Sequence, residues 1–131
     1  MIFLLDTNVC VQYLTKRNEK VVSRVIAESR RITLCSIVKA ELLAGAHKSA
    51  KPTENLRVFS SFFSVLPSVD FDDAAAEHYG RIRTQLERAG TPIGPNDLLI
   101  ASIALANNLT LVTHNTREFG RINGLKIEDW E

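Results

Sequence analysis

The chain has 131 residues, 45% hydrophobic and 24% charged, a balance that fits one globular domain spanning residues 1–131. No apolar run approaches the roughly 20 residues needed to cross a bilayer, and the N-terminal one is too short for a secretory signal, so a cytoplasmic protein with no membrane contact is expected. A formal net charge of +1 neither demands nor excludes a polyanionic partner.

Ile2-Phe3-Leu4-Leu5 reads as a short strand buried on both faces, and it ends abruptly in Asp6-Thr7-Asn8. Asp6 either caps the helix expected from Val9 to Leu14 or places a carboxylate at the strand's C-terminal end, where open α/β folds bind ligands. Glu19 to Ser29 carries Val21, Val22, Val25 and Ile26 at helical spacing and is closed by Arg30-Arg31. Ile32 to Cys35 forms a second strand, and Ser36 is the expected cap of a helix from Ile37 to about Lys48. Cys10 and Cys35 stand alone, without a CxxC pair, and read as reduced apolar residues.

Pro52 suits a first helical turn, and Leu56, Phe59, Phe62 and Phe63 share one helical face that belongs in the core. Val65-Leu66-Pro67 is expected to be extended. Asp72-Asp73 opens a long helix through Ala89 with Gly90 at the stop. The turn-forming run Gly90 to Pro95 delivers Asn96 as the expected cap and Asp97 into the first turn of a helix whose Leu99–Leu105 stretch is almost wholly apolar. Thr110 to Thr113 is a strand ending at His114-Asn115, Thr116 is the expected cap of a turn holding Glu118, and Leu125 to Ile127 is a last strand. Strands alternating with helices predict a parallel α/β sheet of about four to five strands flanked by helices.

Three acids recur in apolar settings. Asp6 follows a buried strand, Glu41 shares a helical face with Ile37 and Val38, and Asp97 heads the stripe Ile100, Ala101, Ala104. Each has an ordinary explanation as a cap, a surface glutamate or a first-turn aspartate. Together they form a set whose mutual repulsion calls for a cation or raised pKa values. Carboxylate ligands without Cys or His favour Mg²⁺, with Mn²⁺ as a substitute, over zinc. Such an ion assists phosphodiester hydrolysis. No GxxxxGK[ST] or GxGxxG phosphate loop is present. With Asp6, Glu41, Asp97 and Glu118 set aside, 11 acids face 16 bases, a mildly basic remainder that favours a polyanion.

Several stretches together carry a resemblance: Leu5-Asp6-Thr7-Asn8, Ala40-Glu41-Leu42-Leu43-Ala44-Gly45-Ala46, Pro92-Ile93-Gly94-Pro95-Asn96-Asp97 and Val112 to Phe119, followed by Gly124-Leu125 and Glu128-Asp129-Trp130. In this order and over the whole chain, the sequence resembles the PIN-domain ribonucleases, specifically the VapC toxins of toxin–antitoxin pairs. The resemblance implies a three-layer PIN-like fold and metal-dependent cleavage of RNA, with transfer RNA the substrate of the closest-looking members. It also implies a homodimer and inhibition by a cognate VapB-type antitoxin. By resemblance Asp6 and Asp97 bind the metal, Glu41 completes the acidic set, and Thr7, Asn8 and Thr113 support it. Asn115 stands where many relatives have a fourth acid. It offers an oxygen but no charge, so one metal is expected rather than two, with Glu118 as a candidate substitute. The rival expectation is a catalytically silent PIN scaffold that only binds its antitoxin partner.

Overall fold

A computed structural model describes all residues, 1–131. Five parallel strands form one sheet in the order β3-β2-β1-β4-β5, namely β1 (Phe3–Leu5), β2 (Ile32–Cys35), β3 (Ser68–Val69), β4 (Thr110–Val112) and β5 (Lys126–Glu128). The chain builds outward from β1 through β2 to β3, then crosses to the other side of β1 for β4 and β5. This reversal leaves a crevice beyond the carboxyl ends of β1 and β4, the usual ligand position in such sheets.

The central strands are apolar because helices cover both faces of a parallel sheet. Leu4, Leu5, Leu34, Leu111 and Val112 are fully buried. The helices are α1 (Thr7–Thr15), α2 (Glu19–Ala27), α3 (Ser36–Lys48), α4 (Pro52–Ser64), α5 (Asp73–Arg88), α6 (Pro95–Ala106) and the single turn α7 (Thr116–Phe119). The near-continuous apolar run of α6 is explained by its burial, which takes in Leu98 and every residue from Ile100 to Ala104. Beyond β5, Trp130 returns to the core and meets Phe3 edge-on at 5.1 Å, while Arg24 lies over its outer face. No helix is long and apolar enough to cross a membrane.

Several expected boundaries shift. α1 begins at Thr7 rather than Val9, because Asp6 caps it directly. Cys35, Gly94 and Asn115 occupy the cap positions expected for Ser36, Asn96 and Thr116. At α6 the reason is Pro95, whose fixed φ and missing N–H suit the first helical position and put the cap one residue earlier. The extended piece expected at Val65–Pro67 falls at Ser68–Val69, where Leu34 and Cys35 provide the pairing edge. Arg30 and Arg31 lie in a separate 3₁₀ turn, Ser29–Arg31, rather than closing α2. Gly90 sits past the end of α5 at φ 71°, a conformation that favours glycine.

Candidate active site

Asp6 leaves the end of β1 with its backbone N–H still bonded to Val112 O of β4 at 2.9 Å. Its carboxylate is fixed from two sides. Oδ1 accepts from the Thr7 N–H at 2.8 Å as the cap of α1, and Oδ2 accepts from the Thr113 hydroxyl at 2.8 Å. Thr113 is fully buried just past β4, and Asp6 itself is only 8% exposed. The cap and the ligand readings of Asp6 are therefore compatible, since each carboxylate oxygen accepts one hydrogen bond and keeps a further lone pair.

The other acids arrive on separate elements. Glu41 of α3 accepts from Thr7 Oγ1 at 2.7 Å through Oε1 and from Asn96 Nδ2 at 3.4 Å through Oε2. Asp97 is half-buried in the first turn of α6. The Asn115 N–H donates to Thr113 Oγ1 at 3.0 Å, and its Nδ2 donates to Glu118 Oε2 at 3.0 Å. Hydrogen bonds thus link Asn96, Glu41, Thr7, Asp6, Thr113, Asn115 and Glu118 in one continuous path.

Burial and mutual repulsion weaken two of these acids, Asp6 and Asp97. Desolvation raises the Asp6 pKa, opposed by the Thr113 and Thr7 hydrogen bonds and reinforced by Glu41. Asp97 is pushed up to about 6, first by burial and then by the charges of Asp6, Glu41 and Glu118. None of the four acids forms an ion pair with Lys or Arg. Burial also raises both thiols, that of Cys35 to about 11, so Cys10 and Cys35 stay protonated and free in the core.

The residues singled out in the sequence separate into two groups. Thr7, Glu41, Asp97, Thr113, Asn115 and Glu118 gather around Asp6, whereas Asn8 is exposed and has no side-chain hydrogen bond to the acids. Asn96 was expected only as a cap and instead reaches Glu41. The Gly94-Pro95 pair carried the signal, because it frees Asn96 from the capping position. The arginines of α5 that face outward are partly engaged nearby, Arg83 with Glu87 at 2.7 Å and with Tyr79 at 3.0 Å.

The PIN-domain family model matches residues 3–125. A tRNA(fMet)-specific endonuclease VapC from Salmonella typhimurium is 44% identical over 128 residues, covering 98% of this chain and 97% of the relative. The chain belongs to the PIN-domain family, among the VapC ribonucleases. A ribonuclease VapC2 from Rickettsia felis is likewise 44% identical, over 133 residues and 100% and 99% of the two chains. The crystal structure of VapBC2 from Rickettsia felis, bound to a DNA fragment from its promoter, superposes with a TM-score of 0.93 at 42% identity over the full length of both chains.

PIN-domain nucleases use a divalent metal, and the residues present fit one. A nearly buried carboxylate with two further acids beside it and no cationic side chain leaves charge that an ion would neutralise. The donors are all oxygen, as hard divalent ions prefer.

Proposed function

We propose that the chain works as one PIN domain that hydrolyses RNA phosphodiester bonds, with Asp6, Asp97 and Glu41 holding Mg²⁺, or Mn²⁺ in its place. The observation that carries this reading is the nearly buried, doubly hydrogen-bonded Asp6 carboxylate with acids from α3 and α6 beside it and no basic partner. When bound, the ion supplies an activated water and offsets charge on the phosphate in transit. Thr113 and the Thr7 N–H hold the Asp6 carboxylate, and Thr7 Oγ1 together with Asn96 holds that of Glu41. Asn115 donates to Glu118, making Glu118 the fourth acid of the site and Asn115 its positioning residue.

The names of the Salmonella and Rickettsia relatives support RNA as substrate, and that of the Salmonella relative supports transfer RNA in particular. The VapBC2 complex with promoter DNA supports a VapB-type antitoxin as partner and a toxin role for this chain. A homodimer acting in the cytoplasm, where transfer RNA is found, completes the proposal. The test is cleavage of purified transfer RNA with mapping of the new ends. Wild-type protein cuts in Mg²⁺, while EDTA, Asp6→Asn and Asp97→Asn each stop cleavage with the fold retained. Undiminished cleavage in either variant, or in excess EDTA, would sink the mechanism.

A further inference from the structure

We propose that Arg121 grips the RNA backbone at the rim of the acid cluster, holding a phosphate next to the one being cleaved. The proposal rests on the reading of that cluster as a metal-dependent RNA-cleaving site and adds a residue that places the strand across it. The turn at α7 creates the position. Phe119 and Ile122, three residues apart, are buried. Glu118 and Arg121, each one residue earlier, therefore share the neighbouring face, and both are half-buried. The Arg121 N–H bonds to Glu118 O at 3.1 Å. Gly120 lets the turn close this tightly, because a Cβ there would stand 2.6 Å from Thr116 O.

Arg121 differs from four other cations of the chain. Arg24, Arg31, Lys51 and Arg83 each meet a carboxylate at between 2.7 and 3.9 Å. Arg121 meets none, although Glu118 lies on its own face. Its Nη1 donates instead to Pro92 O at 3.3 Å, a carbonyl of the segment that leads into Asp97. That bond holds the side chain without neutralising it. Taking a guanidinium partly out of water with no counter-ion is unfavourable, and an anion brought by a ligand offsets this.

The guanidinium thus joins the two segments that deliver Asp97 and Glu118, the Pro92–Asp97 run and the α7 turn. It stands beside the acids and beyond salt-bridge distance of all of them. Charged phosphates repeat along an RNA strand. A cation in this position therefore meets the phosphate next to the reacting one, while the acids and their ion take the reacting one.

The free edge of the side chain suits phosphate. With Nη1 on Pro92 O, Nε and Nη2 remain as a pair of donors that matches two oxygens of one phosphate. Arg117, four residues earlier, is exposed and also without a carboxylate partner. This second positive charge on the same turn favours a polyanion there. A phosphate contact carries no base information, so Arg121 sets the position of the strand and not the choice of sequence. It is made before and during reaction alike, and so acts on binding more than on turnover.

The experiment is fluorescence anisotropy of fluorescein-labelled transfer RNA titrated with the full chain in EDTA at several salt concentrations, alongside cleavage kinetics in Mg²⁺. Arg121→Gln should weaken binding about tenfold, the scale of one hydrogen bond between charged groups. It should also flatten the slope of log affinity against log salt by about 0.7–0.9, the signature of one lost phosphate contact. In Mg²⁺ the variant should raise KM by about tenfold with kcat within about twofold of wild type. Arg31→Gln, at the amino end of β2, should bind as wild type. Circular dichroism confirms that each variant is folded. If Arg121→Gln is not, Arg121→Lys reads the same contact, with the salt slope kept and binding about threefold weaker, because an ammonium lacks the paired donors. The proposal alone is overturned if wild-type protein cleaves transfer RNA and Arg121→Gln, or Arg121→Lys in its place, shows the same affinity and the same KM, or if Arg121→Gln loses affinity with the salt slope unchanged. Wild-type protein that neither binds nor cleaves transfer RNA overturns the functional reading beneath it.

Discussion

Two charged clusters flank the exit of β4, and the chain holds them in opposite ways. Around Asp6 the side chains come from distant segments and are joined by hydrogen bonds in or near the core. Around His114 they come from two adjacent strand ends and lie at the surface. Burial makes the first cluster costly when ionised, and the raised Asp6 and Asp97 pKa values express that cost. The second keeps much of its hydration. Position within the sheet, more than the number of acids, sets the two clusters apart.

Substitutions separate the two clusters, beginning with the largest effect. Asp6→Asn keeps the shape and removes the charge, and is expected to lower RNA cleavage on the order of 10³-fold, because an ion in such a site supplies several kcal/mol of transition-state stabilisation. Initial rates on transfer RNA measure it. Thr113→Val removes the donor to Asp6 and the acceptor of the Asn115 N–H inside the core. Urea unfolding should show a loss of about 1–3 kcal/mol, with cleavage reduced as well. Asn115→Ala frees Glu118 and should lower cleavage about tenfold, the equivalent of one hydrogen bond to a charged group, with little change in the unfolding midpoint. His114→Ala is expected to leave cleavage in Mg²⁺ within about twofold, since its contacts lie in the other cluster and surface substitutions act weakly. A large loss of cleavage in that variant would erase the distinction.

Acidity gives a further contrast. The folded pKa of Asp97, about 6, lies above its ordinary value of 3.8, so between these values the folded chain binds more protons than the unfolded one. The metal-free protein should therefore gain stability as pH falls from about 6 towards 4 and lose it as pH rises through that window. Bound Mg²⁺ favours the ionised form and reverses the trend, so its stabilisation should be larger at pH 7.5 than at pH 5. Thermal unfolding across pH, with and without Mg²⁺, reads the sign directly. Equal Mg²⁺ shifts at both pH values would contradict it.

The alternation of buried strands and helices was legible in the sequence, as was the emergence of Asp6 from a buried strand. Apolar runs and turn residues report those features locally. Asp97 announced itself by heading an apolar stripe. The caps were harder, because Ser36, Asn96 and Thr116 are good capping residues by type, while the neighbouring backbone chose Cys35, Gly94 and Asn115. β3 has only two residues and no periodicity to announce it, so its position depends on the edge offered by β2. The bond from Asn96 to Glu41 and that from Asn115 to Glu118 arise from side-chain reach. Of the two, only the first joins elements far apart in sequence. The convergence on His114 depends on the β4–β5 register, which no local pattern specifies.

The most direct test of the acid cluster is Mn²⁺ binding in the His114→Ala protein, where the surface cluster is disabled, followed by electron paramagnetic resonance of free ion. One Mn²⁺ should bind per chain at pH 7.5, and adding Asp6→Asn should remove that binding. Equal occupancy with and without Asp6→Asn would contradict a metal site built on Asp6.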